Sequence, residues 1–166
     1  NEDPTLYFWK PDQKNGYMGQ WYCSAFEHEG ETYATAEMWM MVQKARLFGD
    51  HVQHQEIATE MLQTTDPKKH KSLGRQVRNF DAAIWDKEKL GIVIQGNYLK
   101  FTKSVDAATL RGMLLETGER EIVEASPLDR VWGVGFGEKN ARRNREKWGR
   151  NLLGVAVMEV RRRLRE

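Results

Sequence analysis

A single cysteine, Cys23, stands in a chain of 166 residues. That excludes a disulfide framework within the chain and any zinc cluster built on paired cysteines. A lone cysteine with no helical histidine beside it is expected as a small buried apolar residue, and the count is compatible with a reducing intracellular compartment, cytoplasmic or nuclear. No apolar stretch approaches the about 18 residues of a membrane span, so no membrane partner is expected. No signal-peptide pattern is visible, although the chain opens on Asn1 rather than Met, which leaves room for an upstream segment. H-E-x-x-H, G-x-S-x-G, a Walker loop and a dinucleotide fingerprint are all missing. His28, His51, His54 and His70 lie in polar surroundings. His51 and His54 stand at i, i+3 but have no further ligands at metal spacing, so solvated histidines are expected.

What is present is ordinary for a folded domain: 40 % apolar and 30 % charged residues, with six Trp, six Phe and five Tyr for a core and for stacking surfaces. The length fits one domain. The net charge of +2 conceals local clusters. Lys139, Arg142, Arg143, Arg145, Lys147 and Arg150 crowd one segment, and Arg161 to Arg163 with Arg165 close the chain. Such runs serve either as phosphate contacts or as a solvated loop and a frayed helix end.

Local signals predict a mainly α, single-domain helical bundle with a small β-hairpin and short strands. Leu6 to Trp9 and Gln20 to Phe26 read as extended. His28-Glu29-Gly30 turns the chain toward Thr32-Tyr33, which makes a hairpin. Thr35 caps a helix from Ala36 to about Phe48, stopped by Gly49-Asp50. A second helix runs to about Leu62. Asp66-Pro67 opens a third, to about Val77. Asp81 caps a fourth, weakened by Gly91 and Gly96 and ending near Phe101. Asp106 caps a fifth through Leu115, stopped by Thr117-Gly118. Glu121 to Ala125 alternates as a strand, Pro127 to Gly137 is a glycine-rich loop, the polar stretch to Trp148 is irregular, and a final helix spans about Leu152 to Leu164.

Three constellations carry candidate chemistry. Glu37 and Lys44 are seven residues apart on the first helix, hence on one face and about 10 Å apart along the axis. That is long for a direct ion pair and suits two groups lining one cleft. A carboxylate in the first turn is also ordinary capping chemistry, and spacing alone does not separate the two. Glu124-Ala-Ser126-Pro-Leu-Asp129 with Trp132-Gly133-Val-Gly135 presents two carboxylates and a Trp in a loop whose glycines admit close approach. Short motifs of this kind are also plain turn chemistry. Lys71, Gly74, Arg75 and Arg78, followed by Phe80 and Trp85, supply a possible phosphate clamp in Arg75 and a ring-stacking surface in Trp85; a surface Arg and a core Trp are the plainer alternatives.

Taken in order, several motifs resemble the NADAR (YbiA-like) family over roughly Tyr17 to Leu164. They are Gly19-Gln-Trp-Tyr22 with Phe26, Tyr33-Ala-Thr-Ala-Glu37 continuing to Gln43-Lys-Ala-Arg-Leu-Phe-Gly-Asp50, Asp66-Pro67, Gly74-Arg75-x-Val77, Phe80, Trp85 and Asn97-Tyr-Leu-Lys-Phe101. Leu114-Leu-x-Thr-Gly118, Glu124-Ala-Ser-Pro-x-Asp129, Trp132-Gly-x-Gly135 and Trp148-Gly-x-Asn-Leu-Leu-Gly154 follow. Gln20 departs from the Asn that many relatives carry, and the basic stretch Glu138 to Lys147 resembles an insertion.

The resemblance implies a YbiA-like fold and metal-independent, cofactor-free N-glycosidase activity. Its implied substrates are ADP-ribose on guanine, in nucleic acid or nucleotides, or phosphoribosyl intermediates of riboflavin synthesis. It makes Glu37 the candidate general acid/base, Asp129 the second carboxylate and Lys44 a nucleophile forming a Schiff base with an opened ribose. Gln20, Trp21, Arg75, Trp85, Glu124, Ser126, Trp132 and Gly133 become candidate substrate contacts. The basic segment Lys139 to Arg150 becomes a candidate nucleic-acid contact. A non-catalytic ADP-ribose-binding module is the reading from another class; the presence of Glu37, Lys44 and Asp129 together argues against it.

Overall fold

The structure is a computed structural model that describes residues 3–48 and 52–166, with the side chains of 52–54 left aside. The expected stop at Gly49-Asp50, and the side chains of His51 and His54, lie outside the described residues. The chain falls into two compact units, Cys23–Val105 and Asn1–Tyr22 with Asp106–Glu166.

The central unit, Cys23–Val105, opens with a hairpin of β2 (Phe26–His28) and β3 (Glu31–Tyr33), antiparallel with Phe26 opposite Tyr33. Glu29 and Gly30 both take positive φ, 50° and 79°, the backbone a two-residue turn between twisted strands requires. The residues before Phe26 do not extend the strand. The buried rings of Phe26 and Tyr33 stack 5.5 Å apart, and Trp39 meets Tyr33 edge-on at 5.0 Å. Trp39 belongs to α1 (Ala36–Leu47), which starts where expected because the Thr35 hydroxyl accepts from the Met38 amide at 3.1 Å. Arg46 on α1 grips Glu31 with both guanidinium nitrogens, and this ion pair holds the Glu31 carboxyl below its ordinary range.

Helices α2 (Val52–Leu62), α3 (Pro67–Gly74) and α4 (Ala82–Lys103) complete this unit. Trp39 donates its indole N–H to the Ile92 carbonyl at 3.0 Å. Gly96, one turn on, leaves room for the ring, since a Cβ there would stand 2.5 Å from Trp39 Cδ1. Far from weakening α4, this glycine makes its contact with α1 possible. The core gathers Met38, Val42, Ala45, Ala58, Met61, Leu73 and Leu99. His70 corrects the expectation of solvated histidines: it is buried, with Nε2 2.9 Å from the Met61 carbonyl and 2.8 Å from that of Thr64. It ties α3 to the end of α2. Cys23, expected to be buried, is exposed.

In the other unit, β1 (Leu6–Phe8) pairs in parallel with β4 (Ile122–Glu124). Around them lie a short 3₁₀ turn (Gly16–Met18), α5 (Ala107–Glu116), α6 (Glu138–Arg143) and α7 (Leu152–Leu164). Asp106 precedes α5 as expected but makes no side-chain capping bond. The segment expected to be irregular up to Trp148 winds into α6 and a 3₁₀ turn over Arg145–Lys147. Its arginines pack on aromatic rings, Arg142 4.7 Å from the Tyr7 ring and Arg145 4.3 Å from that of Trp148. Asn151, in the left-handed conformation, accepts from the Glu124 amide at 2.9 Å and donates to the Ile122 carbonyl at 3.0 Å. It thereby joins the start of α7 to β4.

Candidate active site

The central unit holds a cleft of about 550 Å³ between α1 and the end of α3. Glu37, Met41 and Lys44 line one side, and Lys71, Gly74, Arg75, Val77 and Phe80 the other. Glu37 and Lys44, two turns apart on one face of α1, open on the same cavity, with the buried Met41 between them.

The opposite wall depends on where α3 stops. The sequence predicts a helix to about Val77, but the α-helical run ends at Gly74. Beyond it Gln76 bonds back to Leu73 at 3.0 Å and Val77 to Gly74 at 3.4 Å, a tighter winding that exposes Arg75 at the rim. Gly74 allows α3 to come close: a Cβ there would lie 2.5 Å from Met41 Cε. Asn79 then takes the left-handed conformation that Asn tolerates (φ 59°), and the chain turns so that Phe80 meets Phe48 with ring centres 5.1 Å apart. Asp81 caps α4 by accepting from Ala83 at 2.9 Å and Ile84 at 3.2 Å, placing Trp85 on the first turn.

Phe80 and Trp85 together bracket the half-buried Lys44 ammonium, whose Nζ lies 5.1 Å from the Phe80 ring centre and 4.9 Å from that of Trp85. Trp85, expected as a surface for the substrate's base or ring, packs against the lysine. Burial pulls the Lys44 pKa below the ordinary lysine value; the Glu37 carboxylate opposes that, and the Lys89 ammonium adds to it. An amine so placed is more readily neutral, and therefore nucleophilic, than a solvated lysine. Lys71 and Arg75 stand one turn apart beside it, an arrangement suited to anionic oxygens.

The remaining candidates belong to the other unit. One oxygen of Asp129 accepts from the Val131 and Trp132 amides, both at 2.8 Å, so this carboxylate organises its own loop. Trp132 is half-buried, and its carbonyl accepts from Leu153 at 3.0 Å. Gly133 is pressed against Glu124: a Cβ would stand 2.9 Å from the Glu124 carbonyl and 3.2 Å from its carboxylate. The glycine therefore accommodates a neighbouring chain segment. Ser126 is buried and its hydroxyl accepts from the Leu128 amide at 3.4 Å; Gln20 is buried and Trp21 is 37 % exposed. Phe80, grouped in the sequence with Lys71, Gly74 and Arg75, lines the cleft with them, as does Met41 from the face of Glu37 and Lys44; Lys89 was not singled out in the sequence. For Lys89 a signal existed, since it falls one turn after Trp85 on the same helix face.

A carboxylate and a half-buried lysine facing one polar cleft are equipment for cleaving a glycosidic bond, and glycosyl hydrolase is the class that comparison with known proteins supports. The chain belongs to the NADAR domain family, whose model matches residues 7–165, across both units. A protein of Acanthamoeba polyphaga mimivirus named N-glycosidase R617 is 44 % identical over 87 % of this chain and 85 % of its own length. A Vibrio vulnificus protein named riboflavin biosynthesis protein VVA0006 is 27 % identical over 99 % of this chain but only 40 % of its own length. The NMR structure of Escherichia coli YbiA matches with a TM-score of 0.73 at 24 % identity, covering 99 % of this chain and 87 % of that one. The fold is therefore YbiA-like, as the sequence motifs implied.

Proposed function

We propose that this chain is an N-glycosidase that releases ADP-ribose from guanine, in nucleotides or nucleic acid, through a Schiff base on Lys44. The observation that carries the reading is the half-buried Lys44 amine bracketed by Phe80 and Trp85 in the cleft that also holds Glu37. The ribose ring opens as its ring oxygen leaves the anomeric carbon and acquires the proton that the guanine N–H gives up, which leaves that carbon double-bonded to the guanine nitrogen. Neutral Lys44 adds to the carbon. Glu37 then gives a proton to the guanine amine, which departs, and an imine between Lys44 and the sugar remains. One water hydrolyses the imine, returning free lysine, the sugar aldehyde and a proton to Glu37.

Lys71 and Arg75 at the rim favour a substrate with two phosphates, because two cations one turn apart match a pyrophosphate better than a single phosphate. The cleft volume falls in the about 300–1,000 Å³ range of small-ligand sites. If the substrate is nucleic acid, the cations of the basic segment, Lys139, Arg142, Arg143, Arg145, Lys147 and Arg150, are all exposed for phosphate contact. Arg142 is paired with Asp3 and Glu138, and Arg145 with Glu121. Phosphoribosyl intermediates of riboflavin synthesis are the second reading, favoured by the likeness to the Vibrio protein.

Offering purified protein ADP-ribosylated guanosine and, separately, the phosphoribosyl intermediates decides between them. Release of ADP-ribose with free guanosine is the expected result. Turnover of the phosphoribosyl compounds alone would replace the first reading with the second.

A further inference from the structure

We propose that Lys89, held by Asp86, is a positioning residue that favours the neutral, nucleophilic form of the Lys44 amine. This rests on the reading of Lys44 as the nucleophile. Lys89 is 7 % exposed, and its ammonium lies 2.6 Å from an Asp86 oxygen across a single turn of α4. It is one turn from Trp85, so the two share a helix face. The indole of Trp85 faces the Lys44 ammonium at 4.9 Å.

The packing of α1 on α4 fixes the register. Trp39 bonds to Ile92 and fills the space over Gly96, whereas Lys44 reaches Trp85, so α4 descends as α1 rises. From Trp39 to Lys44 the climb is about 7.5 Å; from Ile92 the descent is about 4.5 Å to Lys89 and about 10.5 Å to Trp85. Lys44 thus stands between the levels of Lys89 and Trp85.

The charged groups around Lys44 are Glu37 on its own helix, Lys71 and Arg75 on the α3 side, and Lys89 with Asp86 on α4. Burial lowers the Lys44 pKa most; Glu37 raises it, and Lys89 lowers it. A second ammonium in a poorly hydrated place is a recognised way to discharge a catalytic lysine, because two like charges in low dielectric oppose one another. Asp86 is half-exposed on the surface side of that pair, with side-chain exposure of 54 % against 9 % for Lys89. It anchors Lys89 from the solvent side.

The test is the ionisation midpoint of Lys44 in the full chain, read by NMR of carbon-13-labelled lysine, with the Lys44 signal assigned by its loss in Lys44→Arg. Lys89→Met should raise that midpoint by about half a pH unit or more, and Lys89→Arg should leave it where it was. A midpoint in folded Lys89→Met equal to or below the starting value overturns the proposal. Should Lys89→Met fail to fold, Asp86→Asn compared with Asp86→Asn/Lys89→Met decides, since these two differ only in the Lys89 charge: the Lys44 midpoint should be higher in the double variant, and an equal or lower one overturns the proposal. Turnover separates this idea from its foundation. If the midpoint moves but the pH–rate profile stays still, Lys89 does act on Lys44 and the nucleophile reading is what fails.

Discussion

The ammonium of Lys44 sits 4.9 Å from the centre of the Trp85 indole, half-buried between that ring and Phe80. Removing the indole opens one wall to water, and burial is the main cause holding the Lys44 pKa down. Trp85→Ala should therefore raise the Lys44 midpoint and lower kcat by about tenfold or more, whereas Trp85→Phe keeps most of the activity. Steady-state kinetics beside the NMR titration checks both.

The pH profile follows from the same site. Lys44 acts as the neutral amine, so kcat/KM should rise with pH and reach half its maximum below the ordinary lysine value of 10.5. An alkaline midpoint at or above that value in a full pH–rate profile would separate Lys44 from the chemistry.

At the rim, Lys71→Ala and Arg75→Ala should each raise KM for a pyrophosphate-bearing substrate, by about tenfold for the arginine, whose guanidinium can grip phosphate with two nitrogens, with smaller changes in kcat. The loss should shrink as salt rises, because ions screen the exposed cations in the starting protein too. Kinetics at two ionic strengths reads this.

Two glycines separate tolerance from strain. At Gly74 a new Cβ meets the end of the flexible Met41 side chain, which can move, so Gly74→Ala should keep its stability and raise KM through a narrowed cleft. At Gly96 the Cβ meets the rigid Trp39 ring, itself bonded to Ile92. Gly96→Ala should cost about 1–3 kcal/mol in urea unfolding.

Lys100 is fully buried on α4, its Nζ 5.2 Å from the Phe101 ring centre, and burial brings its pKa down to about 7. Between about pH 7 and the ordinary 10.5 the unfolded chain holds a proton that the folded chain lacks, so folding gains stability as pH rises through that window. Below it the buried charge weighs fully against the fold. Lys100→Met should raise the melting temperature by several degrees at pH 6 and by progressively less toward pH 10, in thermal scans.

The features legible in the sequence were those set by local chemistry. Thr35, Asp66-Pro67 and Asp81 mark helix starts through side-chain or ring effects on their own first turns, and each start is where expected. The shared face of Glu37 and Lys44 follows from helical geometry alone. What escaped depends on contacts between distant segments. The burial of His70 is set by carbonyls at the end of another helix, and α6 and the 3₁₀ turn after it carry Arg142 over Tyr7 and Arg145 over Trp148. The bracket around Lys44 needs the left-handed turn at Asn79 and the register of Trp39 on α4. No spacing rule reveals either. The loop bonds of Asp129, one of whose oxygens accepts from the Val131 and Trp132 amides, were likewise not legible in its motif.

The most direct measurement is borohydride trapping during turnover of ADP-ribosylated guanosine, followed by peptide mass spectrometry. The expected result is a reduced sugar adduct on Lys44, absent in Lys44→Ala, which also loses turnover. Full activity in Lys44→Ala with no adduct on Lys44 in the starting protein would contradict the Schiff-base mechanism.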